Sequence, residues 1–161
     1  MSGRFLDDFT VGAVDEFGNY TVSRDEIIAF GRQFDPQPFH IDEELARQHA
    51  FGGLVASGWH TAGMCMRMAV ERYLGADSGS LGSPGVDELR WHKPVRPGDT
   101  LSMRTQILEV TPSRSKPDRG VVRSRYELYN QRRELVMSLI AIGMFSRRPA
   151  PTVPGSEGGA R

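Results

Sequence analysis

Residues 34 to 42 read FDPQPFHID, which sets Asp35 and His40 five positions apart with Pro36 and Pro38 between them. A carboxylate and an imidazole held that close can both hydrogen-bond one water, and either can carry its proton. That is the basic requirement of general acid–base chemistry. Each proline pushes the residue before it, Asp35 and Gln37, out of helical geometry. The stretch from Asp35 to His40 is therefore expected to be a stiff, non-helical connection. A plainer reading exists: aspartate before proline often only forms a turn, and a lone histidine ahead of a helix is usually an ordinary core or solvated residue. Residue types alone leave both readings open.

Other reactive side chains carry weaker signals. Gly58 opens a long helical pattern, and an N–H at a helix start with no Cβ in the way suits a developing oxyanion; it could equally be a flexible joint. Ser57 in ASGWH lacks the spacing of a hydrolase elbow and reads as the cap of that helix. His49, His60 and His92 share no metal spacing with His40, so no metal site is expected. Cys65 lies among methionines inside a helix, where a packed thiol is the natural reading. The basic loop Arg114, Lys116 and Arg119 reads as a solvated hairpin, with phosphate binding as the alternative.

These residues must be positioned by regular elements. Residues 13 to 22 are strand-like and end at a helix start, where Ser23 and Glu26 have capping-box spacing ahead of Ile27, Ile28, Phe30 and Phe34. A second short helix is expected from Asp42, a good N-cap with Glu43 and Glu44 behind it, to about Ala50. A longer helix follows from Gly58 to Leu74, with Trp59, Ala62, Gly63, Met66, Ala69, Val70 and Tyr73 at helical spacing. Gly63 would let another backbone approach closely. After the flexible segment 75 to 85, the stretches 86–92, 100–110, 120–129 and 134–146 read as strands separated by turn signals. The last, LVMSLIAIGMF, is nearly continuous in apolar residues, as in a strand buried on both faces.

A long apolar helix next to a run of antiparallel strands must bury its face on their sheet. An α+β fold is expected, with one curved sheet around one central helix and an open edge that a second subunit would cover.

The bulk properties limit the functional classes. With 161 residues, 39% of them hydrophobic, the chain can build one core. Residues 1–148 are expected to form a single domain, and 149–161, rich in Pro, Gly and Ser, a disordered tail. Twenty basic and twenty acidic side chains cancel, so no global field favours nucleic acid or an anionic membrane. One cysteine cannot form a disulfide within the chain. The opening MSGRFLDDF has no apolar run behind a basic start, and no stretch approaches the ~20 apolar residues of a spanning helix. A cytoplasmic protein is expected.

The motif residues also carry a resemblance. Asp35, Pro38, His40 and Asp42 match the active-site stretch of the MaoC-like, or hydratase-2 type, (R)-specific enoyl-thioester hydratases and dehydratases, a hot-dog-fold family. Phe34 stands where that family often has glycine, Gln37 replaces its asparagine, and Phe39 takes its aliphatic place. The likeness continues through GGLVASG (52 to 58), LRWHKPVRPGDTL (89 to 101) and YNQRREL (129 to 135). It implies a hot-dog fold with the site at a dimer interface, and no metal or organic cofactor. It also implies reversible hydration of a trans-2-enoyl thioester of coenzyme A or acyl carrier protein to the (R)-3-hydroxyacyl thioester. Asp35 and His40 would activate water, and the Gly58 N–H would polarise the carbonyl. Phe39, Ser57, Trp59 and Met66 would line the substrate site, Met66 standing where some relatives carry a serine. A hot-dog thioesterase and a non-catalytic acyl-thioester-binding subunit are the alternatives.

Overall fold

The helix expected after Ser23 forms as α1, Arg24–Phe34. Ser23 Oγ accepts from the Glu26 N–H at 3.1 Å, and Glu26 Oε2 accepts from the Ser23 N–H at 2.9 Å. The box satisfies two donors that helix geometry leaves without partners. Ahead of it runs β1, Val14–Thr21. The computed structural model describes residues 3–150, and the tail expected at 149–161 lies outside them but for Pro149 and Ala150.

One expectation for the segment after α1 is overturned. Gln37 is extended (φ −69°, ψ 141°), as a residue before proline should be, but Pro38 then opens a single helical turn, α2, Pro38–Ile41. Proline's fixed φ suits the first helical position, where its missing N–H costs nothing. His40 therefore sits within a helical turn, not in an extended connection. Asp42 caps α3, Glu43–Gln48, by accepting from the Glu44 and Leu45 N–H groups.

The long helix is α4, Gly58–Arg72, capped by Ser57. It is followed by β2 (Gly85–Trp91), β3 (Thr100–Pro112), β4 (Arg119–Tyr129) and β5 (Leu135–Ser146). All five strands form one antiparallel sheet in the order β1-β3-β4-β5-β2, which leaves β1 and β2 as edges. This is the hot-dog arrangement of a sheet with a long central helix packed on it. No helix among the described residues is long and apolar enough to cross a membrane.

α4 buries Thr61, Met64, Cys65, Met68 and Ala69, which pack with Leu101, Met103, Leu128 and Val136 of the sheet in one core. Each fully buried side chain of this size contributes about 1.5–3 kcal/mol through removal from water. The buried face matches the suggested spacing only in part: Ala69 and Tyr73 are buried, but others of that set are not. Trp59, Met66 and Val70 are 61%, 48% and 40% exposed, and nothing lies within 4 Å of where a Gly63 Cβ would stand. α4 is apolar on both sides, so its periodicity could not say which side meets the sheet. The final strand is buried on both faces only in its first half, where Val136, Met137, Leu139 and Ile140 are all buried.

Candidate active site

Asp35 terminates α1, its N–H donating to the Gly31 carbonyl at 2.9 Å. Its non-helical backbone (φ −149°, ψ 70°) directs the carboxylate to the start of α4, where Oδ2 accepts from Ser57 Oγ at 2.7 Å. The same oxygen lies 3.2 Å from His40 Nε2. Oδ1 accepts from Gln37 Nε2 at 2.8 Å. Two prolines and one cap thus aim this side chain.

His40 is only 5% exposed. Its Nδ1 lies 2.7 Å from the Val55 carbonyl. A carbonyl can only accept, so Nδ1 carries a proton and the nitrogen left to exchange one is Nε2, facing Asp35. Val55 is itself fixed, its N–H donating to the Phe39 carbonyl at 3.1 Å. The whole turn presses against α1 at Gly31, where a Cβ would stand 2.9 Å from the His40 carbonyl oxygen and 3.0 Å from its Cβ. Glycine inside a helix costs about 0.5–1 kcal/mol relative to alanine, and here it lets α2 close onto α1.

Burial pushes the Asp35 carboxyl up. The hydrogen bonds from Ser57 and Gln37, with the neighbouring His40 ring, outweigh that and hold it below the ordinary aspartate value. Asp35 is consequently an ionised acceptor near neutral pH.

The third candidate, Gly58, is the first residue of α4. Its N–H has no acceptor within the helix, and the Ser57 hydroxyl takes the Trp59 N–H instead, at 3.3 Å. Trp91 closes over the glycine: its Nε1–H donates to the Gly58 carbonyl at 2.9 Å, and a Cβ at Gly58 would lie 2.4 Å from Trp91 Cε2.

A cleft of about 440 Å³ collects these groups, lined by Asp35, His40, Phe39, Gly58, Trp59 and Trp91 among others. Phe39 stands edge-on to the His40 ring at 4.5 Å, and Trp59 edge-on to Trp91 at 5.3 Å. Ser57 is fully buried behind Asp35, so it meets the carboxylate and not the open cleft. Met66 also lies outside the cleft and lines a second cavity that Trp59 borders as well. Sequence reasoning missed the roles of Gly31, Val55 and Trp91. Gly31 left a trace as a glycine within a helical pattern, and Val55 and Trp91 only as members of the blocks GGLVASG and LRWHKPVRPGDTL.

Of the remaining candidates, only His92 also lines the cleft among the described residues. His49 packs on Phe39 and Phe51, His60 stacks on Phe30, and His92 Nε2 meets Ser138 Oγ at 2.7 Å. Among the described residues no cluster of three or more His, Cys, Asp or Glu could hold a metal. Cys65 is buried, and its thiol is pushed up to about 12 by burial, which makes it inert as a nucleophile. Arg114, Lys116 and Arg119 do not line the cleft.

Residues 10–128 match the family described as the MaoC like domain. The solved MaoC-like dehydratase of Rhodospirillum rubrum superposes with a TM-score of 0.83 at 45% identity, covering 91% of this chain and 99% of that one. The Bacillus subtilis protein YdeM is 33% identical over 127 residues, 79% of this chain and 88% of that protein. A 3-hydroxybutyryl-CoA dehydratase of Methylorubrum extorquens is 26% identical over 114 residues, 70% of this chain and 69% of the enzyme. The chain belongs to the MaoC-like domain family, within which hydratases and dehydratases of acyl thioesters are found.

Proposed function

We propose that the protein hydrates a trans-2-enoyl thioester to the (R)-3-hydroxyacyl thioester, and catalyses the reverse dehydration. The observation that carries this is the Asp35–His40 contact at 3.2 Å in the same cleft as the start of α4. A water held by Asp35 and His40 Nε2 loses a proton to the dyad as its oxygen bonds to C3. The C2–C3 π pair moves toward the carbonyl, whose oxygen accepts from the Gly58 N–H. The proton then returns at C2, so one water is added across the double bond and the dyad is restored. Coenzyme A or acyl carrier protein carries the acyl group, and neither step calls on a metal or organic cofactor.

The working unit is a homodimer or a higher assembly of such dimers. β2 is an edge strand whose Val86 and Trp91 are 49% and 46% exposed, and Trp91 also closes the cleft over Gly58. A second copy would cover the edge and complete the cleft wall.

The test is incubation of purified protein with crotonyl-CoA, following loss of the enoyl absorbance and release of free thiol together. Absorbance loss without thiol supports the reading. Thiol release would identify a thioesterase, and no reaction until a partner chain is supplied would identify a non-catalytic subunit.

A further inference from the structure

The second cavity, about 310 Å³, lies between α4 and the sheet, and no charged side chain is among its lining residues. Trp59 borders both it and the cleft and is the one described residue common to their linings. From Trp59 the lining continues to Tyr73 at the far end of α4, fourteen residues on and so roughly 21 Å along the helix. An acyl chain whose carbonyl sits at Gly58 would pass Trp59 to enter this cavity.

The floor of the cavity is not wholly apolar. Tyr73 and Tyr126, 4% and 8% exposed, hydrogen-bond each other through their hydroxyls. Each phenol has one proton, and the mutual bond uses one of the two. The other O–H has no acceptor among the described residues. Ser124, the inward-facing residue two positions before Tyr126 on β4, is 5% exposed, and its hydroxyl also has no partner among the described residues. Spare donors thus sit within a largely apolar pocket, whose other hydroxyls belong to Ser80 and Ser83.

We propose that this cavity receives the distal part of an acyl chain carrying a neutral oxygen there, a hydroxyl or keto group, which pairs with the Tyr73–Tyr126–Ser124 hydroxyls. A plain alkyl chain would bury an unpaired donor, whereas an oxygenated one pairs it. A carboxylate does not fit. The nearby cation Arg4, whose guanidinium stands 5.0 Å from the Tyr73 ring centroid, is already paired with Asp15 at 3.0 Å. An ionised group would enter a pocket with no counter-charge. The inference rests on the acyl-thioester reading above and adds the substrate class.

Three unreactive probes test it: hexadecanoyl-CoA, its ω-hydroxy form and its ω-carboxy form, titrated against the full chain by tryptophan fluorescence. The hydroxy probe should bind about tenfold tighter than the plain one, and the carboxy probe weaker than both. The double variant Tyr73→Phe/Tyr126→Phe should lose most of the hydroxy preference. Tyr126→Phe alone should keep part of it, because Tyr73 retains its proton. Equal affinity for the plain and hydroxy probes, tightest binding of the carboxy probe, or an undiminished preference in the double variant would overturn the proposal. The wild-type comparison stands even if the double variant does not fold. Turnover of crotonyl-CoA, too short to reach the hydroxyls, reports separately on the hydratase reading.

Discussion

Ser57 Oγ donates to Asp35 Oδ2 at 2.7 Å, and that oxygen is also the one facing His40 Nε2. A single hydroxyl therefore both caps α4 and tunes the carboxylate of the dyad. The two duties have separate readouts.

Ser57→Ala should shift the acid limb of the kcat/KM profile to higher pH. The hydrogen bond lowers the Asp35 carboxyl, so the ionised form now persists to lower pH. Without that donor the carboxyl protonates earlier as pH falls, and activity that needs carboxylate is lost sooner. Gln37→Leu should move the limb in the same direction. Stability should fall by about 0.5–2 kcal/mol for Ser57→Ala from the lost cap, read from denaturant midpoints. An acid limb that stays in place in both variants would show that Asp35 is not the group titrating there.

Gly58→Ala should leave the helix formed but force Trp91 away, because the added Cβ would come within 2.4 Å of its ring. Turnover should fall by about 10²-fold, the scale of a misplacement of roughly 1 Å, and tryptophan fluorescence should change with it. Wild-type turnover in this variant would show that the closure of Trp91 over Gly58 plays no part in the reaction.

The strands were legible because their apolar runs are bounded by turn signals that act locally. The turn at Arg96 to Asp99 closes through the Asp99 N–H to the Arg96 carbonyl at 3.0 Å. The Ser23–Glu26 box was legible for the same reason. Asp35 and His40 could be paired because only five positions separate them. By contrast, Val55 meets His40 across fifteen residues, and Trp91 meets Gly58 across thirty-three. Such contacts depend on how α4 and β2 are placed, which no local pattern encodes. The same limit hid the buried side of α4, where Met64 and Met68 face the core and Met66 does not.

Sedimentation at micromolar concentration should show a dimer or a multiple of it. Val86→Lys places a charge on the exposed edge strand β2, far from Asp35 in sequence, and should weaken association and activity together. A fully active monomer would rule out a shared site.

The dyad itself is the most direct test. If Asp35 and His40 act on one water, Asp35→Asn and His40→Ala should each reduce turnover by about two to four orders of magnitude. The double variant should be little worse than the poorer single, because groups that act as a unit are not additive. Thioester binding should change far less, since the carbonyl contact comes from the Gly58 backbone. Asp35→Asn is expected to fold, because Pro36, Pro38 and the Asp35 N–H to Gly31 carbonyl bond hold the loop without the carboxylate. His40→Ala empties a buried site and leaves the Val55 carbonyl without its donor, so its melting temperature is measured alongside. A folded Asp35→Asn protein whose turnover stays within about threefold of wild type would exclude the proposed mechanism, whatever His40→Ala does.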